Sequence, residues 1–207
     1  MARARSRLSA KAVYSGEVSG EEVRQAPHDW RVPIARGIPP LAVGLTITFT
    51  ADHSSIVGLV MFSIFGLTTA IVLGIAGTRQ PASELTRPLY RGLALISGFA
   101  AVLAVLAAIA TGGSLPLLLL LVGGFAVLAG ALELVWGLRH RAVSPLARDA
   151  ITVGGGTLAL AIVLALVADP VSAVGFFGAY AVILGIFLLI AGLSLKWSTP
   201  MKEGAAL

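Results

Sequence analysis

The sequence has no cysteine and little charge. The lack of cysteine excludes disulfides, thiolate nucleophiles and cysteine-ligated zinc or iron–sulfur sites. Only 12% of the 207 residues are charged, whereas 57% are hydrophobic and the mean hydropathy is +0.93. Soluble domains carry about 25% charged residues, so this chain has too few polar side chains to cover a soluble enzyme or to form a nucleic-acid-binding surface. We therefore expect an integral membrane protein.

Six long stretches without Lys or Arg follow the first 36 residues. They cover residues 37–51, 55–78, 92–111, 115–138, 150–168 and 171–195. A bilayer core of about 30 Å needs about 20 helical residues, and five stretches meet this length. The first is short and has Pro39-Pro40 near its start, where a first helical turn tolerates proline. The runs do not alternate as membrane strands do, so the sequence predicts an all-α integral membrane protein with six transmembrane helices.

Polar segments flank this hydrophobic part. Residues 1–30 are rich in arginine and are predicted to form a disordered cytoplasmic tail; an organellar transit peptide is the alternative for this composition. Residues 31–197 form the predicted transmembrane domain, and residues 198–207 form a short C-terminal tail.

The distribution of positive charge predicts the orientation. All 15 Lys and Arg residues lie before the first span, between spans two and three, between spans four and five, or after the last span. The positive-inside rule then places both termini in the cytoplasm. Trp30, Trp136 and Trp197 lie near the same boundaries, as expected of an interfacial aromatic belt.

A short motif begins every second span. Pro33, Pro88 and Pro145 each precede an arginine by three residues, and those arginines are 55 and 57 residues apart. The spacing predicts three repeats, at about residues 31–80, 86–141 and 143–197. Since each repeat crosses the membrane twice, we expect three tandem parallel two-helix hairpins, related by an approximate threefold axis.

Glycines recur within the repeats and predict where helices pack closely. Each first helix has a glycine seven or eight residues after its arginine, and each second helix has a pair of glycines seven or eight residues apart: Gly44, Gly98 and Gly155, then Gly66/Gly74, Gly123/Gly130 and Gly178/Gly185. Small residues allow helix backbones to approach in lipid. We therefore expect each two-helix hairpin to have close-packed faces.

These motifs resemble the HdeD-like family of small bacterial membrane proteins. The resemblance rests on the arginine-led helix starts, on Asp169-Pro170-Val171, and on the run from Gly178-Ala179-Tyr180 to Gly185-Ile186. The first repeat departs from it with Asp52-His53, and the second with Gly112-Gly113-Ser114. The resemblance implies a multi-pass protein of the bacterial cytoplasmic (inner) membrane, linked to acid or general stress resistance, and it supplies no catalytic residue.

Glu133 is the candidate for chemistry inside the membrane, because ionisable residues within spans are costly and often functional. It lies six residues before Arg139, near the cytoplasmic end of its span. We expect it to pair with an arginine such as Arg139 or Arg91; the alternative is a position on a proton or ion pathway. Tyr180, in the last span, is expected to bond a backbone carbonyl.

Two further sets of residues are candidates. Arg36, Arg91 and Arg148 are expected to form a cytoplasmic ring that anchors the hairpins; the alternative is that the ring binds anionic lipid headgroups. Asp52, His53 and Asp169 are the ionisable residues of the outer connections. They suit ordinary turns, and acid sensing by His53 is the alternative.

No nucleophile–base, paired-carboxylate, metal-ligand or phosphate-loop pattern occurs in the sequence. We therefore expect a non-enzymatic protein without metal or cofactor, acting in envelope or acid-stress protection or as a scaffold or accessory subunit. The alternative is a small channel or transporter with Glu133 on its path. The expected partners are the lipid bilayer, including anionic lipids, and other chains in a homo-oligomer or a larger membrane complex, with no role for nucleic acid.

Overall fold

A computed structural model describes residues 30–81 and 84–198, and this part of the chain is all-α. The six helices are α1 (Arg31–Phe49), α2 (Ser55–Arg79), α3 (Thr86–Thr111), α4 (Leu115–His140), α5 (Leu146–Ala165) and α6 (Pro170–Ser198). Each is long and apolar enough to cross a membrane. The prediction of six apolar helices is confirmed, whereas the two predicted tails lie almost entirely outside the described residues.

The surface of the bundle suits lipid rather than water. Large apolar side chains are exposed on all six helices; Phe49, Ile109 and Leu166 are 84%, 78% and 82% exposed. An apolar surface of this extent would be a liability in water. The exposed surface is thus that of a multi-pass membrane protein.

Helix α1 differs most from its predicted span. It begins at Arg31, six residues before the predicted start, and its 19 residues extend over about 28 Å. The prediction that Pro39-Pro40 occupies the first turn is wrong, because these prolines lie in the third turn. Neither proline has an N–H to donate, so the carbonyls of Ala35 and Arg36 lose their usual helical partners.

Short connections join successive helices, so the helices alternate in direction. We call the end at which α1, α3 and α5 begin the basic end, because every Lys and Arg among the described residues lies on a connection there or within about two helical turns of it. The opposite end holds the connections at residues 50–54, 112–114 and 166–169. At residues 112 and 113 the chain turns with positive φ, at +63° and +112°, which glycine adopts without strain.

The closest helix packing joins neighbouring repeats rather than the two helices of one hairpin. The tightest pairs are α2 with α3, α4 with α5, and α1 with α6, and α2, α4 and α6 also contact one another. The close-packed faces expected of the hairpins therefore lie mainly between hairpins rather than within them.

Glycines account for these close pairs, although they are partly different glycines from those predicted. A Cβ at Gly154 would lie 2.5 Å from the backbone N of Leu134, and a Cβ at Gly44 would lie 2.6 Å from the N of Val182. Gly66, Gly130, Gly178 and Gly185 are also in close contact, together with Gly77, Gly137 and Gly192. By contrast, Gly74, Gly123 and Gly155 would have open space around a Cβ, and Gly98 makes only an ordinary contact. The spacing of the glycines therefore identifies the helices that pack closely, but not always the face on which they pack.

Four phenylalanines fill the interior between the even-numbered helices. The ring centroid of Phe62 lies 5.5 Å from that of Phe125 and 5.6 Å from that of Phe177, and Phe65 lies 5.6 Å from both. These four contacts are edge-on, the arrangement that the quadrupoles of aromatic rings favour. We call these four residues the phenylalanine cluster.

The predicted aromatic belt is only partly present. Trp197 is 78% exposed, but Trp136 is buried and its indole Nε1 donates a hydrogen bond to the carbonyl of Leu85 at 3.1 Å. Trp136 therefore fixes the connection before α3 against α4 instead of facing lipid.

Candidate functional site

An ion pair lies inside the bundle, where α1 and α4 face each other. Arg36 of α1 donates a hydrogen bond from Nη2 to Oε1 of Glu133, and the Glu133 side chain is almost fully buried. Glu133 has the expected type of partner, an arginine, but this partner is Arg36 and not Arg91 or Arg139. Because α1 begins six residues early, Arg36 stands in its second turn, at about the depth of Glu133 below the basic end.

Two hydroxyl groups lie beside this pair. The Thr157 Oγ1 donates to the carbonyl of Val153 at 2.7 Å and lies 2.8 Å from the Tyr180 Oη. A hydroxyl has one proton to give, so with that geometry Tyr180 is the donor to Thr157. The expectation that Tyr180 bonds a backbone carbonyl directly is wrong, since it reaches that carbonyl through Thr157.

The close helix pairs hold these side chains in position. Gly154 lies against Gly130 and Leu134, which places Thr157 of α5 one turn from the contact and brings it near Glu133 of α4. Gly44 lies against Gly178, which fixes α1 and its Arg36 relative to α6 and Tyr180.

The third close pair, α2 with α3, contributes two more polar residues. A Cβ at Gly66 would lie 2.8 Å from the carbonyl oxygen of Ser97. Thr69 and Ser97 are both buried and face the same interior space as Glu133. Every helix therefore supplies a residue to one polar centre, which we define as Arg36, Thr69, Ser97, Glu133, Thr157 and Tyr180.

A cavity of about 20 Å³ lies within the polar centre. On the even-numbered helices, the residues that line the cavity are four positions apart: Phe65, Thr69 and Leu73 on α2, Phe125, Ala129 and Glu133 on α4, and Tyr180 and Leu184 on α6. Residues spaced by four lie on one helix face, so each of these helices turns one face to the cavity.

Two larger spaces lead from the polar centre toward the basic end. Arg36 lines the central cavity and also a cavity of about 40 Å³. Thr86 and Tyr90 line that second cavity and also a groove of about 310 Å³, which is bordered by Arg79 and Glu84. Toward the opposite end, Phe65 and Phe125 form the cavity wall, and the rest of the phenylalanine cluster packs behind them.

The other two predicted ring arginines do not enter the polar centre. Arg91 is exposed and its Cγ lies over Gly77, and Arg148 is exposed near the start of α5. The structure thus brings Arg36 to the interior and leaves its two repeat counterparts at the surface.

The three outer candidates lie at the opposite end and serve the turns there. Asp52 accepts a hydrogen bond from the Ser54 N–H at 2.9 Å, and His53 lies beside it without joining the polar centre. Asp169 accepts from the Ser172 N–H at 2.8 Å and so caps α6. That backbone hydrogen bond lowers the pKa of the Asp169 carboxyl below its ordinary value of 3.8.

Sequence reasoning missed Thr69, Ser97 and Thr157. Threonine and serine are common in membrane helices, so their residue type does not identify them as site residues. Only their position on the cavity-lining face of each helix does. Because the helices are apolar on their lipid-facing and interior sides alike, hydrophobic periodicity does not identify the inward face.

The polar centre combines a carboxylate, a guanidinium and hydroxyls, so it can form hydrogen bonds to one small molecule in its cavity. Among residues 30–81 and 84–198, no three His, Asp or Glu side chains come together as metal ligands would. Comparison with family models, curated proteins and solved structures found no match to this chain.

Proposed function

We propose that this chain is a non-enzymatic multi-pass protein of the bacterial cytoplasmic membrane, acting in envelope or acid-stress protection as a scaffold or accessory subunit. The observation that carries the proposal is the closed interior. The phenylalanine cluster lies on the side of the polar centre that faces the opposite end, so packed aromatic rings separate the polar centre from that end along the even-numbered helices.

The ion pair supports a structural role for the interior. An unpaired charge inside a membrane is costly, but Arg36 and Glu133 offset each other's charge and tie α1 to α4. The HdeD-like motifs support the link to stress resistance, and the exposed apolar surface suits lipid and further chains as partners.

We further propose that the three hairpins are related by an approximate threefold axis, with both termini in the cytoplasm. The cyclic order of close pairs supports the first statement, because each even-numbered helix packs on the odd-numbered helix that begins the next repeat, and α6 returns to α1. The location of all Lys and Arg supports the second.

Cysteine labelling tests the orientation, since the natural chain has no cysteine of its own. Single variants Ala51→Cys, at the opposite end, and Ala142→Cys, at the basic end, would be treated in intact cells with a membrane-impermeant maleimide. We expect labelling of the first and protection of the second until the cells are opened. The reverse pattern would overturn the proposed orientation.

A small channel or transporter with Glu133 on its path is the second candidate. One observation favours it: the groove of about 310 Å³ and the cavity of about 40 Å³ lead from the basic end to Arg36, as the vestibule of a transport path would. Transporters commonly bind their substrates near the middle of the membrane.

Flux in proteoliposomes separates the two candidates. Wild type, Glu133→Gln and the control Asp169→Asn would be reconstituted with a pH-sensitive dye inside and a potassium gradient with valinomycin to drive proton entry. The scaffold proposal expects all three to match protein-free liposomes. Proton flux in wild type and in Asp169→Asn, lost in Glu133→Gln, would overturn the scaffold proposal in favour of transport.

A further inference from the structure

Thr69 differs from the other described threonines in the hydrogen bonding of its hydroxyl group. Its neighbour Thr68 donates a hydrogen bond to the carbonyl of Ile64 at 2.6 Å, and Thr46, Thr48 and Thr157 bond the carbonyl four residues earlier in the same way. The Oγ1 of Thr69 is buried, and it has no hydrogen-bond partner among the described residues. A buried hydroxyl without a partner is unfavourable, and native proteins satisfy most such groups.

The cavity beside Thr69 has room for one small molecule. Its volume is about 20 Å³, whereas a single water requires about 10–15 Å³ measured in the same way. One water fits this space, and a solute of several heavy atoms does not.

The walls of the cavity also supply enough polar partners. A buried water makes about three hydrogen bonds. The Thr69 hydroxyl can donate one, and the Glu133 carboxylate has lone pairs beyond the one that Arg36 uses. The Tyr180 oxygen, which gives its proton to Thr157, remains an acceptor.

The charges favour a neutral occupant. Arg36 and Glu133 line the cavity and offset each other. An ion would add an unpaired charge to a buried site, which is costly.

We propose that the polar centre binds one water molecule, held by Thr69, Glu133 and Tyr180. This water gives α2 a hydrogen-bond connection to α4 and α6, in addition to apolar packing that includes the phenylalanine cluster. The inference is independent of the scaffold proposal, because a bound water is compatible with a closed bundle and with a transport path.

Radiolytic footprinting tests the site in the intact protein in nanodiscs. X-rays split a bound water where it sits, and the radicals oxidise the side chains around it. Phe65 lines the cavity and is 1% exposed, whereas Phe62 and Phe177 are equally buried in the same interior but do not line it. We expect severalfold faster oxidation of Phe65 than of Phe62 and Phe177. Equal rates at the three phenylalanines would overturn the proposal.

Two variants of Thr69 sharpen the test. Thr69→Val keeps the shape but removes the hydroxyl, and we expect oxidation of Phe65 to fall to the level of Phe62. Thr69→Ser keeps the hydroxyl and should retain the wild-type pattern. Unchanged oxidation in a folded Thr69→Val protein would contradict the assignment of Thr69, and the wild-type comparison of Phe65 with Phe62 stands even if that variant does not fold.

Discussion

Arg36, Arg91 and Arg148 begin their repeats with the same motif but lie in different environments. Arg36 contacts a carboxylate in the interior, Arg91 lies over a glycine of α2, and Arg148 is exposed. Only Arg36 has a buried acid opposite it, because Glu133 has no acidic counterpart in the second helices of the other repeats. The function of each arginine therefore depends on its partner more than on the motif.

This difference predicts unequal effects of the same substitution. Arg36→Met would leave the Glu133 carboxylate buried without a partner, and we expect a loss of about 3–5 kcal/mol in unfolding free energy. Arg91→Met and Arg148→Met are matched controls, expected to change it by no more than about 0.5 kcal/mol. Steric trapping in bicelles would measure all three, and similar losses in the three variants would argue against the special role of Arg36.

Asp169 leads to a prediction about pH. Its folded pKa is lowered by the Ser172 N–H, so its ionised form stabilises the fold above the ordinary value of 3.8, and this stabilisation is lost as pH falls through the lower folded pKa. We expect Asp169→Asn, which keeps a neutral acceptor, to have a slightly lower unfolding midpoint than wild type at pH 7. The two midpoints should converge well below pH 3.8. A gap that widens on acidification would contradict this cap.

At the scale of helices, small residues decide which helices pair. In lipid there is no hydrophobic drive between helices, so close backbone approach provides much of the association energy. Gly154 illustrates this, since its backbone lies against Gly130 and Leu134, whereas the next two glycines of α5 lie beside open space.

The Gly154-Gly155-Gly156 triplet therefore contains its own control. Gly154→Ala would force α4 and α5 apart, and we expect a loss of about 1–3 kcal/mol. Gly155→Ala meets no neighbour and should be neutral or more stable by up to about 1 kcal/mol, because alanine favours the helix. Unfolding of both variants in the same detergent would measure the difference. Equal effects would show that α4 and α5 do not approach at Gly154.

The helices themselves were predictable from the sequence, because length and apolarity are enough to define a membrane span. Which helices pack against each other was less predictable. Gly66, Gly130, Gly178 and Gly185 were identified correctly as packing positions, but the partner of each lies in a neighbouring repeat. The sequence misplaces the start of α1, because a charged residue such as Arg36 usually marks the membrane boundary, whereas a buried partner allows this charge to lie inside the bundle.

The same reasoning explains which part of the site was predictable. Glu133 was evident as an ionisable residue in an apolar run. Thr69, Ser97 and Thr157 were not evident, since they are recognised as site residues by the cavity that they line together and not by their residue type.

At the scale of the whole molecule, charge is arranged along one direction. Most Lys and Arg lie near the basic end, and the ion pair lies deeper in the bundle. The phenylalanine cluster comes next, and the opposite end holds Asp52 and Asp169. The interior is thus open to polar groups on one side and closed by aromatic rings on the other. Arg36 and Glu133 are the centre of this arrangement, because they are the groups around which all six helices converge.

A double-mutant cycle between Arg36 and Glu133 tests this centre most directly. The unfolding free energy would be measured for Arg36→Met, Glu133→Leu and the double variant in bicelles. We expect each single variant to lose about 3–5 kcal/mol and the double variant to recover most of that loss, because an apolar pair replaces a buried charge pair with little net change. Losses that simply add in the double variant would contradict the account, since they would mean that the two side chains do not interact.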